Sequence, residues 1–245
     1  MKAMIFAAGL GTRLRPLTDN CPKALIKVGG IPMLERVINK LKSVGVTEMV
    51  INVHHLADKI KDFLKEKNYF DCIIHISDER EILLDTGGGI LNARRWLDGS
   101  EPFIVHNADI FTDFNMSDMI ASHEEGNADV TLLVGRRDTS RYLLFDGSRM
   151  VGWENKKTGE IRSPWDISVY EHAIPLAFGG VHIMNPSVFE YLEKEHKKVF
   201  SITPFYTDYC KQLLIQGFIP SQQYNWVDIG RPESLNIAEN IVSGL

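Results

Sequence analysis

The residues best suited to chemistry lie in "AAGLGTRLRPLTDNCPKAL", positions 7–25, directly after the apolar run "MKAMIF". Gly9 and Gly11 let a backbone approach a ligand closely, and Arg13, Arg15 and Lys23 bring positive charge to the same stretch. That composition fits an anion site, in which backbone N–H groups and side-chain cations share the negative charge. Two carboxylates stand in related settings far downstream, Asp109 in "VHNADIFTD" and Asp228 in "WVDIGRPE". Carboxylate oxygens are the ligands a hard cation such as Mg2+ takes, and Mg2+ commonly bridges phosphate oxygens.

Two familiar glycine loops are excluded. A dinucleotide fingerprint needs a third glycine where Leu14 stands, and an acidic residue closing the second strand, which reads "MVINV". A P-loop needs Lys-Ser or Lys-Thr after its last glycine, and Gly11 is followed by Thr-Arg. What remains is a looser loop whose N–H groups face a triphosphate while Arg13 and Lys23 neutralise it. A plain turn with solvated arginines is the competing reading.

These residues must be positioned by the elements around them. Strand and helix patterns alternate through the first half: "KAMIFAA", "MLERVINKLKSVG", "EMVINV", "LADKIKDFLKEK", "DCIIHIS", "GGILNARRWL", "PFIVHNAD" and later "DVTLLVG". This order predicts an α/β fold, a Rossmann-like, mostly parallel sheet with helices on both faces. Asp109 then falls at the C-terminal edge of a strand, where open α/β sheets bind ligands. From about 136 to 175 the rhythm changes to short strands and turns, which predicts a small antiparallel flap or edge extension. Further on, "TPFYTDYCKQLLIQG" reads as one helix, and "NWVDIGRPESLNIAENIVSGL" as a short strand, a glycine turn and a closing helix. Residues 1–245 are expected to form a single domain.

The loop "AAGLGTRLRPLT…PKAL" resembles the signature G-x-G-x-R-x-x-P-x-T…P-K of the sugar-1-phosphate nucleotidyltransferases, with a match over Gly9–Thr18, Pro22 and Lys23. The resemblance implies the nucleotide-diphospho-sugar transferase fold, and transfer of a nucleotidyl group from an NTP to a sugar 1-phosphate with Mg2+. It implies Arg13, Lys23 and Asp109 as catalytic residues and Asp109 and Asp228 as metal ligands. "LLDTGGGI" is similar to the family's T-G-G segment. Ala8, Gly9, Gly11, Thr12, Thr86, Gly87 and Gly88 are therefore expected at the nucleotide, close helix packing being the other reading of the glycines. Asn107, Glu154 and Gly180 are expected beside the sugar.

Two departures stand out: Ala108 replaces the family's glycine before the metal aspartate, and Asn155 replaces the lysine after Glu154, leaving Lys156, Lys157 or Lys23 to serve the sugar phosphate. Among subfamilies the chain looks most like the N-acetylmuramate-1-phosphate uridylyltransferases of peptidoglycan recycling. Mannose- and heptose-1-phosphate guanylyltransferases are the alternative, and a non-catalytic nucleotide-sugar-binding regulatory subunit is an alternative of another class.

Bulk properties narrow the partners. A formal charge of −5 argues against nucleic acid and anionic membranes. No stretch nears the roughly 18 apolar residues of a membrane helix. Cys21, Cys72 and Cys210 fit neither a zinc pattern nor a disulfide framework, which points to the cytoplasm. A monomer or homodimer is expected.

Overall fold

The side chains of β1 (Lys2–Phe6) show how this computed structural model, which describes residues 1–244, is layered. Successive strand residues face opposite ways, so Met4 joins one apolar core while Ala3 and Ile5 join another. The chain continues through the short pair β2 (Lys27–Val28) and β3 (Ile31–Pro32), then α1 (Met33–Ser43), β4 (Glu48–Val53) and α2 (Ala57–Glu66). β5 (Ile73–Asp78), α3 (Asp85–Asn92), α4 (Arg94–Leu97) and β6 (Phe103–Asn107) follow. Next come β7 (Ile110–Thr112), α5 (Met116–Glu125), β8 (Val130–Gly135), β9 (Arg141–Asp146), β10 (Arg149–Asn155) and β11 (Glu160–Arg162). After α6 (Ile167–Tyr170) the long β12 (Ile174–Met184) leads to α7 (Phe189–Leu192), α8 (Ile202–Tyr209), β13 (Ile215–Phe218), β14 (Trp226–Asp228) and α9 (Pro232–Ser243).

Helical spacing decides which face each helix covers. In α1 the buried Leu34, Val37, Ile38 and Leu41 fall at i, i+3, i+4 and i+7, one apolar stripe. With residues of α2 and α5 they fill the core on the Ala3–Ile5 side. Residues of α3, α4, α7 and α8 fill the core on the Met4 side.

Among the described residues one ten-stranded sheet runs β11-β10-β13-β8-β12-β6-β1-β4-β5, with β9 joined to β10 and β12. The run β5-β4-β1-β6 is parallel, as is β13 with β8. β12 enters antiparallel to both β6 and β8. The segment around 136–175 extends this sheet: β9 pairs with β12, and β10 with β13 and β11.

One expected helix is cut short. α8 stops at Tyr209, and Ile215–Phe218 runs beside β8 as a strand. The reason is tertiary: a Cβ on Gly217 would lie 2.8 Å from the Phe145 ring and 3.0 Å from Val134, so glycine admits those side chains against the ladder.

A two-stranded ribbon outside the main sheet positions the site, pairing Asp228 of β14 with Ile110 of β7. A third apolar cluster, containing Leu14, Val28, Met33, Val227, Ile229 and Ala238, binds the glycine loop to that ribbon and to α9. Leu14 is 1% exposed, and burial of a leucine contributes about 1.5–3 kcal/mol. The neighbour of Arg13 is therefore an anchor.

Candidate active site

The loop after β1 needs glycine at one position. Gly11 has φ +65°, and a Cβ there would lie 2.9 Å from Thr18 Cγ2 and 3.2 Å from Lys23 Cβ. The Gly11 carbonyl accepts from the Thr18 hydroxyl at 2.7 Å and from Leu14 N–H at 2.9 Å. The turn is closed by its own sequence, and Lys23 is packed against it.

Four charged side chains expected to act together do converge. The Lys23 ammonium donates to Asp109 Oδ2 and lies 3.8 Å from Asp228 Oδ1. Gly230 marks the centre of the group: a Cβ there would sit 2.7 Å from Arg13 Nη2, 2.8 Å from Asp228 Oδ1 and 3.1 Å from Lys23 Nζ. Its N–H also donates to Asp228 Oδ1 at 2.8 Å. Sequence reading did not single out Gly230, although the turn "DIGRP" carries the signal. Asp109 is held by its backbone, whose carbonyl accepts from Ile229 N–H at 3.0 Å. Ala108 is 2% exposed, and its φ is not positive, so glycine is not required there.

Asp109 and Asp228 present oxygen ligands suited to Mg2+. Among the described residues no three His, Cys, Asp or Glu side chains gather. Mg2+ commonly takes only one or two protein carboxylates and fills its other positions with water and phosphate oxygens. Asp109 and Asp228, with side chains 27% and 41% exposed, leave room for those ligands. The donor set fits.

Behind them lies a cavity of about 390 Å3, lined by Ala8, Gly9, Lys23, Asn107 and Asp109, with Asp85 and Thr86 on its far side. Asn52 and Glu79, which the sequence reading passed over, also line it. Asn52 Oδ1 accepts from Ala7 N–H at 2.8 Å, and its amide donates to Glu79 Oε1 at 2.9 Å. Glu79 Oε2 accepts from Leu84 N–H at 3.1 Å, tying the glycine loop to the start of α3. The available signal was a polar residue inside the apolar run of β4.

Burial pushes the Glu79 carboxyl above its usual range, and the hydrogen bonds from Asn52 and Leu84 only partly offset this. An acid with a raised folded-state pKa adds stability that is full below its unfolded value, about 4.3, and is lost as pH rises through the folded value. Urea unfolding of wild type and Glu79→Gln should therefore show the wild type losing ground to the variant as pH rises above about 4. A pH-independent gap would count against the buried carboxylate.

The second glycine cluster packs against a distant segment of the chain. The N–H groups of Gly87 and Gly88 donate to the Phe200 carbonyl at 2.9 and 3.1 Å. A Cβ on Gly87 would meet the Phe200 ring at 2.3 Å, and one on Gly88 the Lys198 carbonyl oxygen at 2.3 Å. These glycines exist for close packing, and neither lines the cavity, whereas Thr86 does. Gly11 and Thr12 likewise lie outside its lining, Gly11 serving the turn.

The sugar-side residues separate too. Asn107 lines the cavity, and Gly180, at φ +73°, makes room for it, since a Cβ there would lie 3.0 Å from Asn107 Nδ2. Glu154 is paired with Lys156 at 3.1 Å. Its neighbour Trp153 lines a second cavity of about 420 Å3, which meets the first at Asp85. Trp165 packs against the core on the Met4 side.

A mixed α/β sheet with a cation-bearing glycine loop and two ribbon-linked aspartates defines the nucleotide-diphospho-sugar transferase fold. A family model described as Nucleotidyl transferase matches residues 2–145, and the chain belongs to that family. It is similar to the N-acetylmuramate alpha-1-phosphate uridylyltransferase of Caulobacter vibrioides, 32% identical over 251 residues, 97% of this chain and 95% of that protein. It is also similar to mannose-1-phosphate guanylyltransferase 1 of Arabidopsis thaliana, 31% identical over 235 residues, 95% of this chain and 62% of that protein. The chain spans 62% of the length of the plant guanylyltransferases it matches. A crystal structure of UDP-glucose pyrophosphorylase complexed with UDP-glucose shares the fold, with TM-score 0.76 at 19% identity over 99% of this chain and 98% of that one. No helix among the described residues is long and apolar enough to cross a membrane.

Proposed function

We propose that the chain, acting as one nucleotidyltransferase domain, joins an NTP to a sugar 1-phosphate and releases pyrophosphate. A phosphate oxygen of the sugar 1-phosphate bonds to the α-phosphorus as the bond from that phosphorus to the bridging β-phosphate oxygen breaks. The electron pair leaves on pyrophosphate, and the product is an NDP-sugar. A phosphate monoester has its second pKa near 6, so the nucleophile is already ionised at neutral pH and needs no general base. The difficulty lies in bringing two polyanions into line, and the observation that carries the reading is the meeting of Arg13, Lys23 and Asp228 around Gly230, with Asp109 bonded to Lys23.

Arg13 and Lys23 hold the triphosphate and stabilise charge developing toward pyrophosphate. Asp109 and Asp228 are the residues that would hold Mg2+, which when bound neutralises phosphate charge. Ala8, Gly9 and Thr86 border the nucleotide, and Asn107 stands between the nucleotide and the sugar. A binding-only regulatory role is disfavoured because both cations and both carboxylates are in place.

For the substrate we infer UTP and N-acetylmuramate 1-phosphate, in a cytoplasmic cell-wall recycling step. The support is the relative matched over nearly its whole length. The similarity to guanylyltransferases favours GTP with mannose 1-phosphate as the second reading. Pyrophosphate release with Mg2+, measured across the four NTPs and dTTP against a panel of sugar 1-phosphates, tests both. Turnover with UTP and N-acetylmuramate 1-phosphate is expected. Preference for GTP with mannose 1-phosphate would keep the reaction and change the substrate, and silence across the panel would remove the reaction.

A further inference from the structure

The sheet extension made by β9 and β10 carries a cation that the nucleotide pocket does not use. Arg141 opens β9 and borders two cavities at once. One is the 420 Å3 cavity with Trp153, Phe178 and Thr203. The other, about 700 Å3, contains Arg13, Lys157, Arg231 and Asp228. Five cations and two carboxylates line the larger one, Arg137 and Asp138 included, in a chain whose overall formal charge is −5. So local a reversal of sign marks a place for an anion.

Arg141 is the available cation at the junction. Among the described residues its guanidinium has no hydrogen bond or ion pair, while its backbone N–H donates to Thr139 Oγ1 at 3.4 Å. Lys157 and Arg231 border only the larger cavity, whereas Arg141 borders both, and the other cations around it are committed. Arg162 binds Glu160 at 2.6 Å, Lys156 binds Glu154 at 3.1 Å, and Arg137 donates to the Ala177 carbonyl at 3.0 Å with its guanidinium 3.9 Å from the Trp226 ring centre. Register adds a second argument. Arg141 lies directly opposite Asn155 in the β9–β10 ladder, where facing Cβ atoms are about 4.5–5.5 Å apart. The side chains of Arg141 and Asn155 therefore stand on the same face of the sheet extension. Asn155 itself is occupied, its Oδ1 accepting from Lys157 N–H at 3.0 Å.

We propose that Arg141 binds the phosphate of the sugar 1-phosphate, with the sugar ring in the 420 Å3 cavity against Trp153 and its phosphate turned toward Arg13 and Asp228. The inference rests on the nucleotidyltransferase reading above. A guanidinium presents a planar fork that matches two phosphate oxygens, a geometry lysine lacks. A carboxylate on the sugar would share the anionic chemistry, but the junction with the Arg13–Asp228 cavity favours the phosphate.

The test compares wild type, Arg141→Gln and Arg141→Lys, with N-acetylmuramate 1-phosphate and N-acetylglucosamine 1-phosphate as probes. Calorimetry without NTP gives each Kd, and steady-state kinetics gives each KM. Loss of a charged hydrogen-bonding group predicts Kd and KM for both sugars raised about 10–100-fold in the glutamine variant. The KM for NTP should stay within about twofold, and lysine should recover part of the loss. Equal affinity in wild type and variant, loss confined to the carboxylate-bearing sugar, or no binding to wild type each overturns the assignment. Wild type that binds both sugar phosphates through Arg141, yet turns over neither, overturns the transfer reaction and leaves the contact standing.

Discussion

Arg13→Ala and Lys23→Ala are each expected to lower kcat/KM by about 10²–10³-fold, the loss seen when a donor aimed at developing transition-state charge is removed. Lys23 is the better buried of the two, with a side chain 11% exposed between two carboxylates. Without it Asp109 and Asp228 face an incoming triphosphate with Arg13 as the remaining cation at Gly230. Lys23→Arg should rescue at most in part, because Nζ is a compact charge set between Asp109 and Asp228, and a planar guanidinium of different length does not reproduce that placement. The two cations act on one group of phosphates, so the double variant should lose far less than the product of the single losses. Initial rates with both substrates varied up to saturation separate kcat from KM. A near-normal kcat for either alanine variant would remove these residues from the transition state.

That cluster was legible because its chemistry is local. A glycine loop with three cations and two prolines occupies a single stretch, and each aspartate stands at a strand end with turn residues beside it. Contacts that depend on distant chain segments were not. Glu79 lies 27 residues from Asn52 and reads as one more charge in "SDERE" until the parallel β4–β5 pairing brings the two together. Arg141 looks like a surface arginine until the hairpin sets it opposite Asn155. Residues 203–217 carry an apolar pattern that suits a helix, and only the free edge of β8 draws the last few into a strand. Propensity is a weak prior there, and pairing overrides it. Three successive glycines announce that something comes close, but not what: for Gly87 and Gly88 it is the protein's own segment 198–200, more than a hundred residues later, and for Gly89 it is Glu79 and Phe6.

Gly88→Ala turns that last point into a measurement, and opposing effects set its sign. Alanine is favoured over glycine inside a helix by about 1 kcal/mol, so an unobstructed site would gain stability. Here the new methyl would stand 2.3 Å from the Lys198 carbonyl oxygen, a backbone atom that moves only if its segment moves. Overpacking costs about 1–3 kcal/mol. The two hydrogen bonds to the Phe200 carbonyl, weakened as the segment shifts, are worth about 0.5–1.5 kcal/mol each. The expected net loss is about 2–3 kcal/mol. At about 2–4 °C per kcal/mol for a chain this size, Tm of the ligand-free protein should fall by about 4–12 °C. Val199, carried by the same segment, lines the 390 Å3 cavity proposed for the nucleotide, so NTP affinity should weaken alongside stability. An unchanged or higher Tm with a raised KM for NTP would mean that Gly88 serves the nucleotide directly, and the packing account would be wrong.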